Sequence, residues 1–358
     1  MKIAQKQALT IAVIITTGLY MTAVSCKKNT SSSPSNYEQT NLVADTLSYG
    51  ARRVDINLNN PWGIAIGPTG VFYISENHSG SSAVYDGTGG QVTTDIGIPL
   101  NGVANGASPS GVIYNNTSNF VIPLNGQPAK FIYVTEDGIV AAWNTGDTTI
   151  TVADRSAANA VYKGVAMAND GTANFIYVTD LHNAKVDVYD QSFKYVTNKP
   201  FADPGIPAGF APFNIQNIGG QLYVTYAKQK APDNKDDQSG AGNGYVDVYK
   251  PDGTFIKRFA SQGTLNSPWG VAQAPSGFGQ GSNSILIGNF GDGRINVFDA
   301  NGNYTGQLMN GNTPVAIEGL WAIEFPQNSA GSLDINTLYF TAGPKMEMYG
   351  IFGYLKKQ

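Results

Sequence analysis

The sequence predicts an all-β protein built from six copies of one small antiparallel sheet. Gly accounts for 42 of the 358 residues, and only 13% of the residues are charged. Abundant Gly, together with 19 Tyr and 16 Phe, is typical of many short strands joined by tight turns. Coiled coils, long-helix bundles and disordered chains need a far larger charged fraction, so the composition excludes them.

One short strand recurs along the chain and is the strongest sign of internal repetition. Its copies alternate apolar side chains, most contain Tyr, and most close with Thr; they are residues 72–75, 132–135, 176–179, 222–225, 285–288 and 338–341. Their closing residues are 60, 44, 46, 63 and 53 positions apart. A spacing of about 50 residues fits one four-stranded sheet per copy.

A second strand precedes each copy, and a third strand follows it. The preceding strands often open with Gly or Pro, as in Pro61-Trp-Gly-Ile-Ala-Ile, and the third strands run into turn pairs such as Asn301-Gly302. Six such meanders predict a six-bladed β-propeller over residues 37–358, whereas a solenoid would need a shorter period and polar caps. The last unit has only three strands, so we expect residues 37–44 to complete that blade and close the ring.

The N-terminal segment predicts export and lipid attachment. Residues 1–25 combine two lysines with a short apolar stretch, as in a signal peptide. The small residues before Cys26 resemble the bacterial lipobox, after which Cys26 would be acylated. Residues 26–36 are polar and predict a flexible tether. An uncleaved signal anchor is the alternative, although the apolar stretch is short for a bilayer.

The expected location is therefore the outer membrane of a Gram-negative cell. The residues that follow Cys26 include no acid, which favours the periplasmic face over the cell surface. The formal charge of −4 and the scarcity of basic clusters exclude a nucleic-acid partner. One Cys and two His exclude an intrachain disulfide, a Cys/His zinc site and a three-His metal site.

Several stretches resemble a known group of proteins. They are residues 60–65, 135–138, 161–164, 211–229, 266–270, 288–296 and 338–344. The blade pattern is similar to NHL-type and SMP-30/gluconolactonase-like six-bladed propellers, and these stretches resemble an uncharacterised family of secreted bacterial propellers over about residues 37–355. The resemblance implies the propeller fold and carries no established reaction.

Propeller geometry predicts where a site would lie. The innermost strands begin on the same face that carries the loops between second and third strands, and we call this the mouth face. The side chains expected to contact a ligand there are Trp62, Glu136, Asp137, Lys163, Tyr226, Trp269, Glu318 and Trp321. The three tryptophans would either pack between blades or offer a stacking platform. The polar insertion 228–244 should overhang this face as a solvated lid.

Polar residues at the same face also suggest catalysis with a hard cation. The candidate oxygen ligands are Glu76, Asn214, Asn289 and Asp292, and Ca²⁺ is the cation that such ligands suit. In analogy with SMP-30-like hydrolases, the cation would polarise a lactone or ester carbonyl. His78, His182 and Asp180 are candidate acids or bases. The alternative is that all these residues are solvated loop side chains or structural bonds between blades.

Three functions follow from these observations. The first is an envelope lipoprotein whose mouth binds a protein, peptide or glycan without catalysis. The second is a metal-assisted hydrolase or lyase of a small lactone or ester, and the third is a structural partner in an outer-membrane assembly. The sequence favours the first. It establishes no cofactor, with Ca²⁺ as the one candidate, and leaves open whether the protein is an enzyme.

Overall fold

The computed structural model describes residues 36–327, 331 and 333–358. Within these residues the strands form six antiparallel blades, and the innermost strands of the blades contact one another in cyclic order around a central axis. The predicted all-β, six-bladed propeller is therefore confirmed. Each copy of the recurring strand is the second strand of its blade, as the repetition indicated.

The strand bounds follow, from the axis outward. Blade 1 contains Pro61–Ile66, Phe72–Glu76, Ser81–Tyr85 and Ile96–Gly97. Blade 2 contains Pro109–Tyr114, Phe131–Thr135, Ile139–Trp143 and Ile150–Asp154. Blade 3 contains Tyr162–Asn169, Asn174–Asp180, Lys185–Tyr189 and Tyr195–Val196. Blade 4 contains Phe210–Ile218, Gln221–Lys228, Gly244–Tyr249 and Phe255–Ser261. Blade 5 contains Pro268–Gln273, Ile285–Asn289, Ile295–Phe298 and Tyr304–Gln307.

Blade 6 combines the two ends of the described chain. It contains Leu320–Glu324, Leu338–Ala342, Ile351–Lys357 and Tyr37–Ala44, with Arg53–Val54 added outside in parallel. Two small hairpins lie outside the blades, Val121–Ile122 with Gln127–Pro128 and Met309–Asn310 with Thr313–Pro314. Short helical turns occupy Leu47–Tyr49, Ser156–Ala158 and Pro344–Glu347.

The strand Tyr37–Ala44 closes the ring as predicted. It pairs antiparallel with Ile351–Lys357, from Tyr37 opposite Lys357 to Ala44 opposite Ile351. The Tyr37 hydroxyl also donates to the Phe278 carbonyl at 2.8 Å, which ties blade 6 to blade 5. Closing the ring in this way leaves the third strand of blade 6 paired on both sides.

The innermost strands crowd the axis at their third residue, counted from Pro61, Pro109, Tyr162, Pro212, Pro268 and Leu320 in blades 1 to 6. That residue is Gly63, Gly111, Gly164, Asn214, Gly270 or Ala322 in the same order. A Cβ on Gly63 would lie 2.7 Å from the Ser110 carbonyl oxygen, and one on Gly270 would lie 2.8 Å from the Trp321 carbonyl oxygen. The register between first and second strands shifts at this level in every blade. The strands therefore bulge where their backbones approach most closely.

The recurring Thr of the second strand bonds across this bulge. The Thr179 hydroxyl accepts a hydrogen bond from the Gly164 amide at 2.8 Å and donates to the Phe213 carbonyl of the next blade at 3.2 Å. Thr341 likewise accepts from the Ala322 amide and donates to the Trp62 carbonyl. The Thr that repeats in the sequence thus joins neighbouring blades.

The predictions of export and lipid attachment concern residues that the structure does not describe. The signal segment 1–25, the acylation site Cys26 and the tether up to residue 35 are not among the described residues. In the part of the chain that is described, no helix is long and apolar enough to cross a membrane.

Removing the closing strand should destabilise the ring strongly. We expect deletion of residues 1–44 to lower the urea midpoint or prevent soluble expression, whereas deletion of residues 1–35 leaves the midpoint unchanged. Tyr37, Leu42 and Val43 are fully buried, and burying such a side chain contributes about 1.5–3 kcal/mol. Equal urea midpoints for the two deletions would contradict the role assigned to this strand.

Candidate functional site

The centre of the mouth face is filled by aromatic side chains. Trp62 stacks on Trp321 with ring centroids 3.6 Å apart, and Trp269 meets both edge-on at 6.2 and 5.9 Å. Phe290 stacks on the other side of Trp321 at 4.0 Å. The three tryptophans are at most 4% exposed. Their indoles therefore pack against one another and fill the entrance of the axial channel.

A buried lysine lies against this aromatic cluster. Lys163 is 1% exposed, its ammonium lies 4.9 Å from the centre of the Trp62 ring, and it pairs with Glu136 and, at 3.4 Å, with Asp236. Burial lowers the pKa of Lys163, but the carboxylates of Glu136 and Asp236 more than offset it, so the pKa lies above its usual value. Lys163 is therefore a charged, paired residue.

The predicted insertion lies over the mouth face and is bonded to neighbouring blades. His182 Nδ1 donates to the Asp233 carbonyl at 2.9 Å, and Asp236 pairs with Lys163. On the other side, the Gly240 amide donates to Asn266 Oδ1 at 2.7 Å. These bonds link the insertion to blade 3 and to the loop before blade 5.

The other expected contact residues are bonded within their own surroundings. Asp137 accepts from the Ser108 amide at 2.7 Å, and Glu318 accepts from the Lys345 amide at 3.1 Å. Tyr226 is buried, and its hydroxyl bonds to a neighbouring tyrosine hydroxyl at 2.7 Å. Of these residues, Glu318 is exposed on the mouth face.

The candidate metal ligands have hydrogen-bond partners of their own. Glu76 accepts from Ser81 Oγ at 2.6 Å, Asn289 Nδ2 donates to Asp292 at 3.0 Å, and Asn214 Nδ2 donates to a backbone carbonyl at 2.7 Å. Across the described residues, no group of three or more His, Cys, Asp or Glu side chains is arranged to hold a metal ion. A Ca²⁺ site formed by Glu76, Asn214, Asn289 and Asp292 stays a prediction.

The candidate acids and bases lie in two blades: His78 follows the second strand of blade 1, whereas Asp180 ends the second strand of blade 3 and His182 follows it. His78 Nδ1 lies 3.2 Å from Asn59 Oδ1, whereas His182 bonds to the insertion. Asp180 is buried and accepts from the backbone amides of Val161 and Asn183. Burial raises the pKa of Asp180. These bonds give each group a local partner, and a catalytic role for them stays a prediction.

Two cavities open on the opposite face, where the innermost strands end. We call this the end face, and the spaces, of about 730 and 600 Å³, the end-face cavities. Gln216, Asn217, Glu324 and Gln327 line both cavities, so the two spaces meet at these residues. A narrow space of about 30 Å³ continues from Gln216 and Glu324 along the axis to Trp269.

The lining of the end-face cavities is polar but almost free of ionisable groups. Its amide side chains are Asn116, Gln216, Asn217, Gln273, Asn283 and Gln327. Among the described lining residues, Glu324 is the sole acid, no Lys, Arg or His occurs, and Tyr114 is the other titratable group. Gln216 Nε2 donates to Glu324 Oε2 at 3.3 Å. Burial raises the pKa of Glu324 to about 8, although the Gln216 hydrogen bond opposes the shift.

These two axial residues were missed by the sequence analysis, although the repeats contain a signal for them. Counted from Pro61, Pro109, Tyr162, Pro212, Pro268 and Leu320, the fifth residue of the innermost strands is Ala65, Ile113, Ala166, Gln216, Ala272 or Glu324 in blades 1 to 6. Aligned in this way, Gln216 and Glu324 are the two polar exceptions at an otherwise apolar level. A comparison of positions across blades would have identified the end of the channel as a candidate site.

Comparison with known proteins identifies the family. No protein-family model matches the chain. Uncharacterized protein R648 of Acanthamoeba polyphaga mimivirus is 33% identical over 330 residues, which cover 88% of this chain and 80% of R648. Uncharacterized protein L690 of the same virus is 32% identical over 330 residues, covering 88% and 85% of the two chains. The chain belongs to the R648 family.

Solved structures similar to this R648-family chain show the same fold. Streptogramin B lyase has a TM-score of 0.54 and 11% identity, covering 90% of this chain and 98% of the lyase. A Bacteroides thetaiotaomicron protein of unknown function has a TM-score of 0.56 and 9% identity, with coverages of 84% and 70%. At such identities the likeness shows the propeller fold alone. The bacterial origin and secretion implied by the sequence resemblance stay predictions.

The protonation of Glu324 should appear in the stability of the protein. Since the pKa of Glu324 is raised to about 8 in the folded state, folding takes up a proton between about pH 4.5 and pH 8. The free energy of unfolding should therefore fall as pH rises through this window, by at most about 1.4 kcal/mol per pH unit. The substitution Glu324→Gln should remove this pH-dependent loss of stability. The free energy of unfolding of the variant minus that of the unmodified protein should therefore increase from pH 5 to pH 8.

Urea unfolding at pH 5, 6, 7 and 8 measures this difference. The matched control is Glu318→Gln, the same substitution at an exposed glutamate on the mouth face. If the Glu324→Gln difference changed with pH no more than the control difference does, the raised pKa of Glu324 would be contradicted.

Proposed function

We propose that the protein is a non-catalytic binding module whose ligand, a protein segment, peptide or glycan, occupies the end-face cavities. The observation that carries this proposal is the pair of polar cavities that meet at Gln216 and Glu324. Their volumes, about 730 and 600 Å³, lie in the range of small-molecule and peptide side-chain sites. The aromatic filling around Trp62 argues against a deep site at the centre of the mouth face.

The lining indicates which ligands are favoured. A phosphate, sulfate or carboxylate ligand normally meets Arg or Lys, and the described lining has neither. A cation would need a carboxylate, whereas burial keeps Glu324 protonated up to about pH 8. Side-chain amides both donate and accept hydrogen bonds. The ligand that this lining fits is therefore uncharged and rich in hydrogen-bonding groups.

We further propose that this module is exported and anchored by a lipid at Cys26, on the periplasmic face of an outer membrane. This proposal rests on the sequence pattern of residues 1–36. A ring joined to the membrane through the polar sequence 26–36 would suit a binding role, because it could reach ligands near the membrane.

A metal-assisted hydrolase or lyase is the alternative. Its support is the fold shared with a virginiamycin B lyase of Staphylococcus aureus, which was also solved as a catalytically inactive variant with quinupristin. That likeness extends to the fold, not to site residues. Because Glu76, Asn214 and Asn289 each have a hydrogen-bond partner within the protein, and the end-face cavities offer a lined space, we favour binding over metal-assisted catalysis.

Calorimetric titration with uncharged oligosaccharides and with N-acetylated, C-amidated tripeptides tests the binding site. For a ligand that binds, Gln216→Ala and Gln273→Ala should each weaken binding about fivefold, the cost of roughly one lost hydrogen bond. The matched control is Gln191→Ala, an exposed glutamine outside the cavity lining. If Gln216→Ala and Gln273→Ala leave the affinity unchanged but Glu318→Ala abolishes binding, the ligand binds at the mouth face and the proposal is wrong.

A further inference from the structure

A row of aromatic rings begins at the wall of one end-face cavity. Tyr114 ends the innermost strand of blade 2 and lines the 600 Å³ cavity. Its ring centroid lies 5.4 Å from that of Phe131, which stacks on Tyr73 at 3.6 Å and 22°. Trp143 lies 5.6 Å from Tyr73 and 6.1 Å from Phe131. We call these four residues the end-face aromatic row.

Part of this row is accessible. Phe131 is buried, whereas Tyr73, Tyr114 and Trp143 are half-buried. Trp143 is the last residue of the third strand of its blade, and the residues that end the third strands of blades 1, 3, 4 and 5 are aromatic and buried; they are Tyr85, Tyr189, Tyr249 and Phe298. Packing between blades alone would thus be expected to bury this ring. Blade 2 instead leaves an indole partly open on the end face.

The indole of Trp143 is also fixed in position. Its Nε1 donates to the Gly146 carbonyl at 3.0 Å, and its ring contacts Tyr73 and Phe131. A ring that is held by a hydrogen bond and by neighbouring rings loses little conformational entropy when a ligand stacks on it. The row is therefore a preorganised aromatic surface that begins at a polar cavity, and the exposed Lys130 ammonium lies 5.9 Å from the centre of the Trp143 ring.

This combination of surfaces distinguishes a glycan from a peptide. A sugar ring has an apolar C–H face that packs on an aromatic ring and hydroxyl groups that bond to amides such as Gln216 and Asn217. One common mode of peptide binding adds a strand to an exposed sheet edge. The cavity walls here are the ends of innermost strands, which do not offer such an edge.

Resting on the proposed function, we infer that the ligand is an uncharged oligosaccharide. One sugar unit would occupy the cavity beside Gln216 and Glu324, and further units would stack along Tyr114 and Trp143. The site would then have two parts with different chemistry, an amide-lined part that selects hydroxyl groups and an aromatic part that adds affinity for longer chains.

Calorimetric titration with neutral hexasaccharides tests this inference. The probes are cellohexaose, laminarihexaose, maltohexaose, mannohexaose and chitohexaose, with the trisaccharide of each series. We expect at least one hexasaccharide to bind more tightly than its trisaccharide and to quench tryptophan fluorescence. Trp143→Ala should weaken that hexasaccharide about tenfold and leave the trisaccharide within about twofold, because stacking contributes only to the outer units.

Control variants separate the two parts of the site. Trp143→Phe, which keeps an aromatic ring, should retain hexasaccharide affinity within about threefold, and Tyr304→Ala, which removes an exposed ring on blade 5, should have no effect. Gln216→Ala should weaken the trisaccharide and the hexasaccharide equally. Thermal unfolding of each variant checks that the fold is retained.

The outcomes distinguish failure of this inference from failure of the proposed function. If capped tripeptides bind and depend on Gln216, but none of the hexasaccharides binds with a dissociation constant below about 1 mM, the cavity is a binding site and the glycan inference is overturned. If a hexasaccharide binds and Trp143→Ala has no effect, the aromatic part of the inference is overturned. If neither class of probe depends on Gln216, both proposals fail.

Discussion

The close approach of the six innermost strands at the axis determines the rest of the molecule. At their third residue there is no room for a Cβ in most blades, as the contacts around Gly63 and Gly270 show. The residues on either side of this level then face different spaces. On the mouth side, large second residues such as Trp62 and Trp321 fill the entrance. On the end-face side, small fifth residues such as Ala272 leave open space, which becomes the end-face cavities.

The two ends of the channel each hold an ionisable group, the buried Lys163 and the half-buried Glu324, whose pKa shifts favour different charge states. Lys163, near the mouth, keeps its charge because Glu136 and Asp236 approach it closely and Trp62 presents its ring face to it. Glu324, at the other end, meets an amide and lacks a cationic partner among the described lining residues, so burial favours its neutral form. At the mouth, the ammonium of Lys163 stays charged because it is paired. At the end face, the carboxyl of Glu324 favours its neutral form, which can donate a hydrogen bond.

The fold could be predicted from the sequence because its determinants are local and repeated. The alternation in strands such as Ile132–Thr135 and the missing fourth strand of the last unit identified the blades and the closing strand. How deeply each side chain is buried could not be predicted in the same way. Trp62 and Trp269 share a level around the ring, but only the packing of one indole on another shows that they fill the entrance. Whether the expected residues at the mouth can contact a ligand depends on how deeply they are buried. Gln216 and Glu324, in contrast, are polar where the other blades have apolar residues, so an alignment of the blades could have found them.

The likeness to lyases and the proposed binding role are compatible for a physical reason. The axial crowding requires small or bulged residues at one level and leaves the fifth position free to vary, because that residue lies beyond the point of closest approach. Chains can therefore share this ring at about 10% identity, as this chain does with virginiamycin B lyase, and still differ wherever a ligand would sit. In this chain the variable level holds the Gln216 amide and the Glu324 carboxyl, whose pKa burial raises, and Tyr114 and Phe131 connect the cavity to the half-buried indole of Trp143. The proposed glycan ligand would offer hydroxyl groups to the amide and the carboxyl, and apolar ring faces to the aromatic side chains.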